Sequence, residues 1–317
     1  NFSAAADPIH LRTPELWRLG PHEYRAFDTL VFSSKRPADP VFTIRSREAT
    51  ITEPEADHVQ KQYFDLLTGL THEVNAWPEE PIIDRDDCGP IPRVNVSVKL
   101  SALFSQFDPI DPEGTTRAVC RRLRPILSLA KGSGAFVNFD MEQHSFKDTT
   151  LHIFRTILME PEFRDWPHVG IAVQVYLKDT EHDLRQLLHW AKNERRCPVW
   201  VRLVKGAYWD YETVIAAQNG WPVPVFTKKW QSDANFEALS EFLLSNVDWV
   251  IPAFGSHNIR SVSHAMAVAE KLKVPPRRFE FQMLYGMADP IKEAIQSLGY
   301  RLRIYTPYGQ LLPGMAY

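Results

Sequence analysis

Polar and charged side chains stand at the ends of seven apolar segments of this sequence, where enzymes built on parallel strands carry their catalytic groups. These residues are Lys99, Asp140 with Glu142, Gln174, Arg202 with Lys205, His257 with Asn258, Gln282 and Tyr305. Asp140 and Glu142 would point the same way on a strand, because strand side chains alternate with a period of two. No histidine or further carboxylate follows them at metal-ligand spacing, so we predict no metal site.

The same segment ends lack the residues of several common reactions. No serine or cysteine motif for acyl transfer occurs there, and no phosphate-binding Walker loop. Aromatic residues accompany the amides and cations instead, among them Tyr208, Trp209 and Tyr285. Amides and cations around flat apolar walls suit a planar, hydrogen-bonding cofactor with an anionic tail. The residue types alone therefore predict an oxidoreductase with an organic cofactor.

Strands and helices must alternate to bring these residues together. The predicted strands are Arg93–Ser101, Ala135–Glu142, Val169–Tyr176, Val199–Gly206, Trp249–Gly255, Phe279–Leu284 and Leu302–Tyr305, with a weaker one near Arg47–Ile51. The predicted helices are Glu55–Val74, Thr116–Leu129, Thr149–Leu158, Glu181–Lys192, Ala234–Leu244, Ile259–Leu272 and Asp289–Leu298. Strands that are apolar on both faces and alternate with helices indicate a parallel sheet covered by helices.

Eight strand candidates favour an α/β fold of the (β/α)₈ TIM-like barrel type. An open doubly wound sheet is the alternative, but it usually has a glycine-rich turn after its first strand. Here Gly132-Ser133-Gly134 precedes a strand instead of following one. We predict a barrel over 46–317 and an arm or linker over 1–45, with a remnant of a neighbouring domain as the alternative. The helix expected after the last strand is missing from the chain.

Composition excludes several other classes of protein. The 317 residues carry a net charge of -3, which argues against a general nucleic-acid binder. Cys88, Cys120 and Cys197 share no pairing or metal-ligand spacing, as is usual in a reducing compartment. No apolar run reaches the roughly 18 residues of a membrane span. We expect a cytoplasmic protein, with contact at the inner face of the bacterial membrane that is peripheral at most.

The sequences of five segments resemble those of the proline dehydrogenase family, most of all the dehydrogenase domain of the bifunctional proline utilization A proteins. These segments are Ser97–Leu103, Asp140–Gln143, Arg202–Trp209, Phe279–Met287 and Arg303–Tyr305. The resemblance covers 46–317 in order. It implies FAD-dependent oxidation of L-proline to 1-pyrroline-5-carboxylate, the first step of proline catabolism to glutamate. It also implies ubiquinone or a similar quinone as electron acceptor, and an aldehyde dehydrogenase domain fused in the parent protein.

The resemblance also implies a role for each motif residue. Arg202 would hydrogen-bond the flavin near its hydride-accepting nitrogen. The other expected cofactor contacts are Gln174, Lys205, Gly206, Ala207, Tyr208, Trp209, Lys228, Ser256, His257, Asn258 and Gln282, with Lys228 at the phosphates. The expected substrate contacts are Lys99, Asp140, Leu203, Tyr208, Leu284, Tyr305 and Tyr317. Within this set Lys99 lies beside the proline carboxylate, Tyr305 packs on the pyrrolidine ring and Tyr317 helps to close the site.

Two departures from the family pattern leave alternatives open. The family clamps the proline carboxylate with an arginine pair on the helix that the chain lacks, and one lysine does not replace a bidentate clamp. Arg47-Glu48 aligns with a Gly-Glu pair of the family, so Glu48 would form an ion-pair gate with those arginines. The alternatives are a flavin-binding barrel for another cyclic amino acid, such as hydroxyproline, and a catalytically weak fragment.

Overall fold

The chain divides into two compact units. The computed structural model describes residues 2–6, 9–13, 15–18, 23–32, 43–52, 54–86 and 89–306, with side chains from residue 56 onward. One unit comprises Asn1–Leu66 and Leu100–Ile126, and the other comprises Leu67–Lys99 and Leu127–Tyr317. All the strand ends singled out in the sequence, from Lys99 to Tyr305, belong to the second unit.

The first unit contains an antiparallel sheet. Its strands are β1 Phe2–Ala6, β2 Ile9–Thr13, β3 Glu15–Arg18, β4 Glu23–Phe32 and β5 Thr43–Thr52. The sequence predicted only the weak strand near Arg47–Ile51, which lies within β5. The structure pairs β5 antiparallel with β4, with Glu48 as the register partner of Phe27. Strand β5 therefore does not join the parallel sheet as the first barrel strand. Four further described strands precede it.

Helices fill most of the remaining chain. Those of the described residues are α1 Pro54–Asn75, α2 Pro81–Asp84, α3 Pro112–Gly132, α4 His144–Leu158, α5 Thr180–His189, α6 Trp209–Asn219, α7 Lys229–Ser245, α8 Ile259–Lys271 and α9 Asp289–Ser297. All seven predicted helices occur, with shifted ends, while α2 and α6 were not predicted. Among these helices none is both long and apolar enough to cross a bilayer.

The second unit is built on a parallel sheet in strict chain order. After a two-residue pairing of β6 (Arg85–Asp86) with β7 (Gly89–Pro90), seven strands follow in register. They are β8 Asn95–Val98, β9 Phe136–Phe139, β10 Val169–Gln174, β11 Val199–Val204, β12 Val250–Gly255, β13 Glu280–Leu284 and β14 Arg301–Tyr305. Every residue of β9 and β10 is buried, as expected for a sheet covered on both faces. The α/β prediction is confirmed, with seven of the eight predicted barrel strands in the sheet.

This sheet is curled as in a barrel. The central strand β11 lies three strands from each edge, β8 and β14, so each edge would be about 14 Å away in a flat sheet. Yet Arg202 of β11 hydrogen-bonds Ser97 of β8 at 2.9 Å. The same guanidinium lies 5.4 Å from the centre of the Tyr305 ring of β14. A single side chain can contact both edge strands only because the sheet folds around it. Residues 307–317, which follow β14, lie outside the described residues.

Alternation along the strands separates a helix-facing surface from a barrel interior. Phe254 of β12 faces the helices, because its ring lies 6.2 Å from that of Phe236 in α7. Leu203 pairs with Phe254 in the parallel register and therefore shares that face, whereas Arg202 and Ala253 face inward. Helix-facing positions are apolar and buried, while the interior carries amides and charges. The helix-facing side supplies the hydrophobic stabilisation, and the interior supplies the polar groups.

Shortening Val201 should cost stability without touching the barrel interior. Val201 is completely buried on the helix-facing side of β11, so Val201→Ala removes packed methyl groups. We expect the free energy of unfolding to fall by about 1–3 kcal/mol, measured by urea denaturation. Val214→Ala on α6, where the valine is half-exposed, should change it by less than about 0.5 kcal/mol. Equal losses in the two variants would contradict this assignment of faces.

Candidate active site

The C-terminal ends of the parallel strands gather most of the predicted residues at one edge of the sheet. Lys99 follows β8, Asp140 follows β9, and Gln174 is the last residue of β10. Arg202 lies two residues before the end of β11, and Tyr305 ends β14. Parallel strands place their carboxyl ends together, and enzymes of this architecture carry their active sites there.

Arg202 is the centre of this arrangement. It is buried, and its Nη1 donates to Oδ1 of Asp140 at 2.8 Å while Nη2 donates to Oγ of Ser97 at 2.9 Å. With Tyr305 under the guanidinium, residues in or directly after three other strands, β8, β9 and β14, hold this cation of β11. Ser97 was not predicted, although it lies two residues before Lys99 and so on the same side of β8. The result is a preorganised positive group whose charge is balanced by one carboxylate.

Lys205 is held by an aspartate that the sequence did not point out. Its Nζ binds Oδ1 of Asp233, whose Oδ2 accepts from Lys229 at 2.6 Å. Burial raises the pKa of Asp233, but the hydrogen bonds and charges of the two lysines outweigh it and hold that pKa below its usual value. Asp233 lies on α7, so this helix fixes the ammonium group that follows β11.

The turn after β11 depends on Gly206. Its φ is +127°, in the region that favours glycine, and an added Cβ would lie 2.4 Å from the ring of Tyr176. Ala207 and Tyr208 follow it, and the indole Nε1 of Trp209 at the start of α6 donates to the carbonyl of Phe226 at 2.9 Å. The backbone here is therefore pressed against a buried aromatic ring, which leaves no room for any other residue type.

Gln174 carries an orphaned polar atom at the end of β10. The side chain is buried, and its Nε2 donates to the carbonyl of Met141 at 3.4 Å. Its Oε1 is buried and has no hydrogen-bond partner among the described residues. Since buried polar atoms in proteins nearly always have partners, this oxygen indicates a donor from outside the described chain.

Ser256, His257 and Asn258 form the turn between β12 and α8. The Asn258 side chain caps α8 by accepting from the backbone N–H of Ser261 at 3.1 Å, and Ser256 Oγ accepts from Asn258 N–H at 3.1 Å. Nε2 of His257 accepts from the backbone N–H of Leu284 at 2.9 Å. Burial, and secondarily Lys292, lowers the pKa of His257, which suits an accepting neutral ring.

Several predicted residues lie away from the Arg202 cluster. Leu203 is fully buried on the helix-facing side of β11, so the structure does not place it as a wall beside Arg202. Lys228 is exposed at the N-cap of α7. Leu284, although its side chain is exposed at the end of β13, is the register partner of Tyr305 and so lies beside the cluster. Tyr317 and the side chain of Glu48 lie outside the described residues. No cluster of three or more metal-ligating side chains occurs in the part of the chain whose side chains are described.

Comparison with known proteins gives a consistent family. The family model for proline dehydrogenase matches residues 41–317, most of the chain. The chain belongs to the proline dehydrogenase family. The bifunctional protein PutA of Escherichia coli K12 is 30% identical over 221 residues, 68% of this chain and 17% of the relative. Proline dehydrogenase 1 of Bacillus subtilis is 31% identical over 187 residues, 59% of this chain and 54% of that protein.

A solved relative confirms the barrel as the family fold. The crystal structure of proline utilization A from Bdellovibrio bacteriovorus, inactivated by N-propargylglycine, is similar with a TM-score of 0.82 and 49% identity. It is matched over 84% of this chain and 28% of its own length. This proline dehydrogenase family chain therefore spans less than a third of that protein and about a sixth of the curated PutA relatives.

Inside the proline dehydrogenase barrel, further from the C-terminal edge of the sheet, a buried cluster of charged side chains surrounds Glu280. Arg303 donates to both carboxylate oxygens, Nε to Oε1 at 2.9 Å and Nη2 to Oε2 at 3.1 Å. Nε of Arg301 lies 3.3 Å from Oε2, and Nε2 of Gln282 donates to Oε1 at 2.6 Å. Burial raises the pKa of Glu280, but the charges of Arg303 and Arg301 and the hydrogen bonds from Arg303 and Gln282 lower it to about 2. The carboxylate is therefore ionised.

Acid should weaken the protein partly through Glu280. Its folded pKa of about 2 lies below the ordinary 4.5, so its stabilisation is complete above pH 4.5 and is lost as the pH falls toward 2. We expect the difference in unfolding free energy between wild type and Glu280→Gln to shrink over this window by a few kcal/mol. Urea denaturation at several pH values measures it. Glu241→Gln, on exposed α7 surface, is the control, and a pH-independent Glu280→Gln difference would contradict the prediction.

Proposed function

We propose that this chain carries the FAD-dependent oxidation of L-proline to 1-pyrroline-5-carboxylate, with the electrons then passing to a quinone such as ubiquinone. The observation that carries this proposal is Arg202, held by Asp140 and Ser97 over the Tyr305 ring at the C-terminal edge of a proline dehydrogenase barrel. It is the first step of proline breakdown to glutamate. The family membership supplies the reaction class, and the strand-end cluster supplies the groups that reaction needs.

The residues at this edge fit a flavin. The orphaned Oε1 of Gln174 can accept a hydrogen bond from another donor of the cofactor, such as a ribityl hydroxyl, and Arg202 offers a cation to a ring that becomes electron-rich on reduction. Gly206 lets the backbone pass close to a flat group. The ammonium of Lys205 and the N-terminus of α7, where Lys228 is the N-cap, suit a diphosphate. Amide, cation and aromatic groups thus occur in the combination that a flavin dinucleotide requires.

The chain's residues bind, orient and desolvate the substrate. FAD, when bound, supplies the two-electron acceptor that takes a hydride. The hydride leaves the ring carbon beside nitrogen that does not carry the carboxylate, and positive charge develops toward the imine. No strong base is needed when proline binds as the free amine. Lys99 then attracts the carboxylate, Tyr305 packs on the ring, and Asp140 keeps Arg202 in place, so that orientation and electrostatics do most of the work.

Proline titration of the flavin-loaded chain tests this function. We expect the purified protein to be yellow, or to become yellow with added FAD, and its visible flavin absorbance to bleach anaerobically on addition of L-proline. A soluble quinone should then restore the absorbance. A colourless protein that cannot be reconstituted with FAD would overturn the cofactor assignment. A loaded protein whose flavin stays oxidised in L-proline would identify the chain as a catalytically weak fragment.

Hydroxyproline separates the two candidate substrates. Because Tyr305 is expected to pack directly on the pyrrolidine ring, an added hydroxyl should be penalised, and trans-4-hydroxy-L-proline should bleach the flavin more slowly than L-proline. Faster bleaching by hydroxyproline would identify hydroxyproline, and not proline, as the preferred substrate. The measurement is stopped-flow absorbance at matched concentrations of the two compounds.

The parent protein and its location follow from the same proposal. We infer that 46–317 form the dehydrogenase barrel and 1–45 an arm or linker, and that an aldehyde dehydrogenase domain is fused in the parent. Glu48 is proposed as one side of an ion-pair gate and Tyr317 as a residue that helps to close the site. A cytoplasmic protein with peripheral contact at the inner face of the membrane gives access to a membrane quinone. Vesicle co-sedimentation of reduced and oxidised protein checks that contact.

A further inference from the structure

Glu280 contacts the side-chain amide of Gln282 as well as two arginines. It is fully buried inside the barrel, and Nε2 of Gln282 donates to its Oε1 at 2.6 Å. An ionised carboxylate can only accept hydrogen bonds. The reverse orientation of the amide would bring two oxygens together at that distance. Although the nitrogen and oxygen of a glutamine are usually hard to distinguish, the charge of Glu280 settles the assignment here.

The orientation of the Gln282 amide is thereby fixed, with its nitrogen toward Glu280 and its oxygen away from it. One N–H is committed to Glu280, and the structure gives Oε1 of Gln282 no hydrogen-bond donor among the residues it describes. Gln282 lies two residues nearer than Glu280 to the C-terminal edge of the sheet, on the same side of β13. The atom available to a group bound at that edge is therefore an acceptor.

Arg303 and Arg301 keep this orientation from relaxing. Arg303 holds the carboxylate through both oxygens, and Arg301 lies against the second of them. Arg301 is itself fixed, because its Nη1 donates to Asp86 at 3.2 Å and its guanidinium lies 5.0 Å from the centre of the Trp200 ring. Glu280 cannot turn away from Gln282 without breaking paired charges in a buried site.

We propose that Glu280 is a positioning residue that locks the Gln282 amide so that its carbonyl oxygen accepts a hydrogen bond from the imide N–H of the flavin ring. This inference rests on the proposed flavin-dependent function. The flavin carries one ring N–H in its oxidised form, at N3, flanked by two carbonyls. A glutamine free to rotate would serve either the N–H or a carbonyl, whereas a locked one selects the N–H.

Binding of FAD and of N3-methyl-FAD to the apoprotein tests this proposal without any turnover. Methylation removes the only donor that the locked carbonyl can use, so wild type should bind N3-methyl-FAD about tenfold more weakly than FAD, or worse. In Gln282→Met, which keeps the length and loses the acceptor, the ratio of the two affinities should approach one. Fluorescence titration gives both affinities. Equal affinities of wild type for the two flavins would overturn the proposal, as would an undiminished ratio in Gln282→Met.

The role of Glu280 is tested by the same ratio of the affinities for FAD and N3-methyl-FAD. In Glu280→Gln the partner can donate as well as accept, so the amide of residue 282 can turn over and the ratio should fall several-fold from its wild-type value. General loosening of the site would weaken both flavins and leave the ratio unchanged, which would contradict a positioning role. If Glu280→Gln does not fold, the charge-balanced pair Glu280→Gln with Arg303→Gln replaces it. Failure of wild type to bind FAD at all would instead overturn the proposed function.

Discussion

Arg202→Met is expected to slow reduction of the flavin by L-proline about 10²- to 10³-fold while FAD still binds. Asp140, Ser97 and Tyr305 together fix the guanidinium in place. Losing one preorganised charge-stabilising group has an effect of this size in other enzymes. Methionine keeps much of the volume, and the Asp140 carboxylate is partly exposed, so water can solvate it. Stopped-flow bleaching gives the rate, and circular dichroism verifies the fold.

Ser97→Ala is the matched control for this variant. It removes the second hydrogen bond of the Arg202 guanidinium and leaves its charge and its bond to Asp140 in place. We expect a loss of only a few-fold, on the scale of one neutral hydrogen bond. Unchanged flavin reduction in Arg202→Met would show that the cation has no part in the chemistry. An equal loss in both variants would show that positioning, and not charge, is what Arg202 provides.

The barrel interior explains why such effects should be separable from folding. Most barrels of this class fill the interior with layers of branched apolar side chains. Here the described interior carries ionic groups that are neutralised in place, Arg202 by Asp140 and Glu280 by two arginines. Buried pairs of this kind contribute little net stability, because desolvation offsets attraction. The hydrophobic stabilisation comes from the helix-facing side, so the two sides of one sheet divide stability from chemistry.

Much of the strand-end cluster could be predicted from the sequence, whereas its partners could not. Lys99, Asp140, Arg202 and Tyr305 were found because each is a polar residue at or near the C-terminal end of an apolar strand. Ser97 was missed because it meets Arg202 across 105 residues of chain, which only the curl of the sheet brings together. Asp233 and Glu280 were missed for the same reason, as their roles depend on contacts between distant elements.

Two further differences have local causes. Leu203 was expected beside the substrate, yet the period of two along β11 puts it opposite to Arg202, and that alternation was readable in the sequence. Helix α6 was missed because its large apolar residues do not form one stripe. Trp209, Tyr211 and Val214 are all substantially exposed, so the pattern that identifies an amphipathic helix is absent.

Lys147→Met is expected to lower the free energy of unfolding by about 3–5 kcal/mol. Lys147 lies on α4 and is almost completely buried, and its Nζ contacts Asp183 at 2.7 Å, Asp148 at 2.9 Å and Asp179 at 3.0 Å. Burial lowers the pKa of Lys147, but the hydrogen bonds that its ammonium donates to these carboxylates outweigh burial and hold that pKa above its ordinary value, so the lysine is charged. Its removal leaves Asp183, the least exposed of the three, buried without its cation.

Arg185→Met is the control for Lys147→Met, because it removes an ion pair that is exposed and not buried. Arg185 donates to Glu181 at 2.7 Å one turn away on α5, but both side chains are largely exposed. Exposed pairs contribute roughly 0–1 kcal/mol, so this variant should unfold nearly as wild type in urea. The two variants lose the same kind of charge contact in different surroundings, and the expected gap between them is set by burial alone. A Lys147→Met protein no less stable than Arg185→Met would mean that Asp183 regains water, so that α4 and α5 do not need this lysine between them.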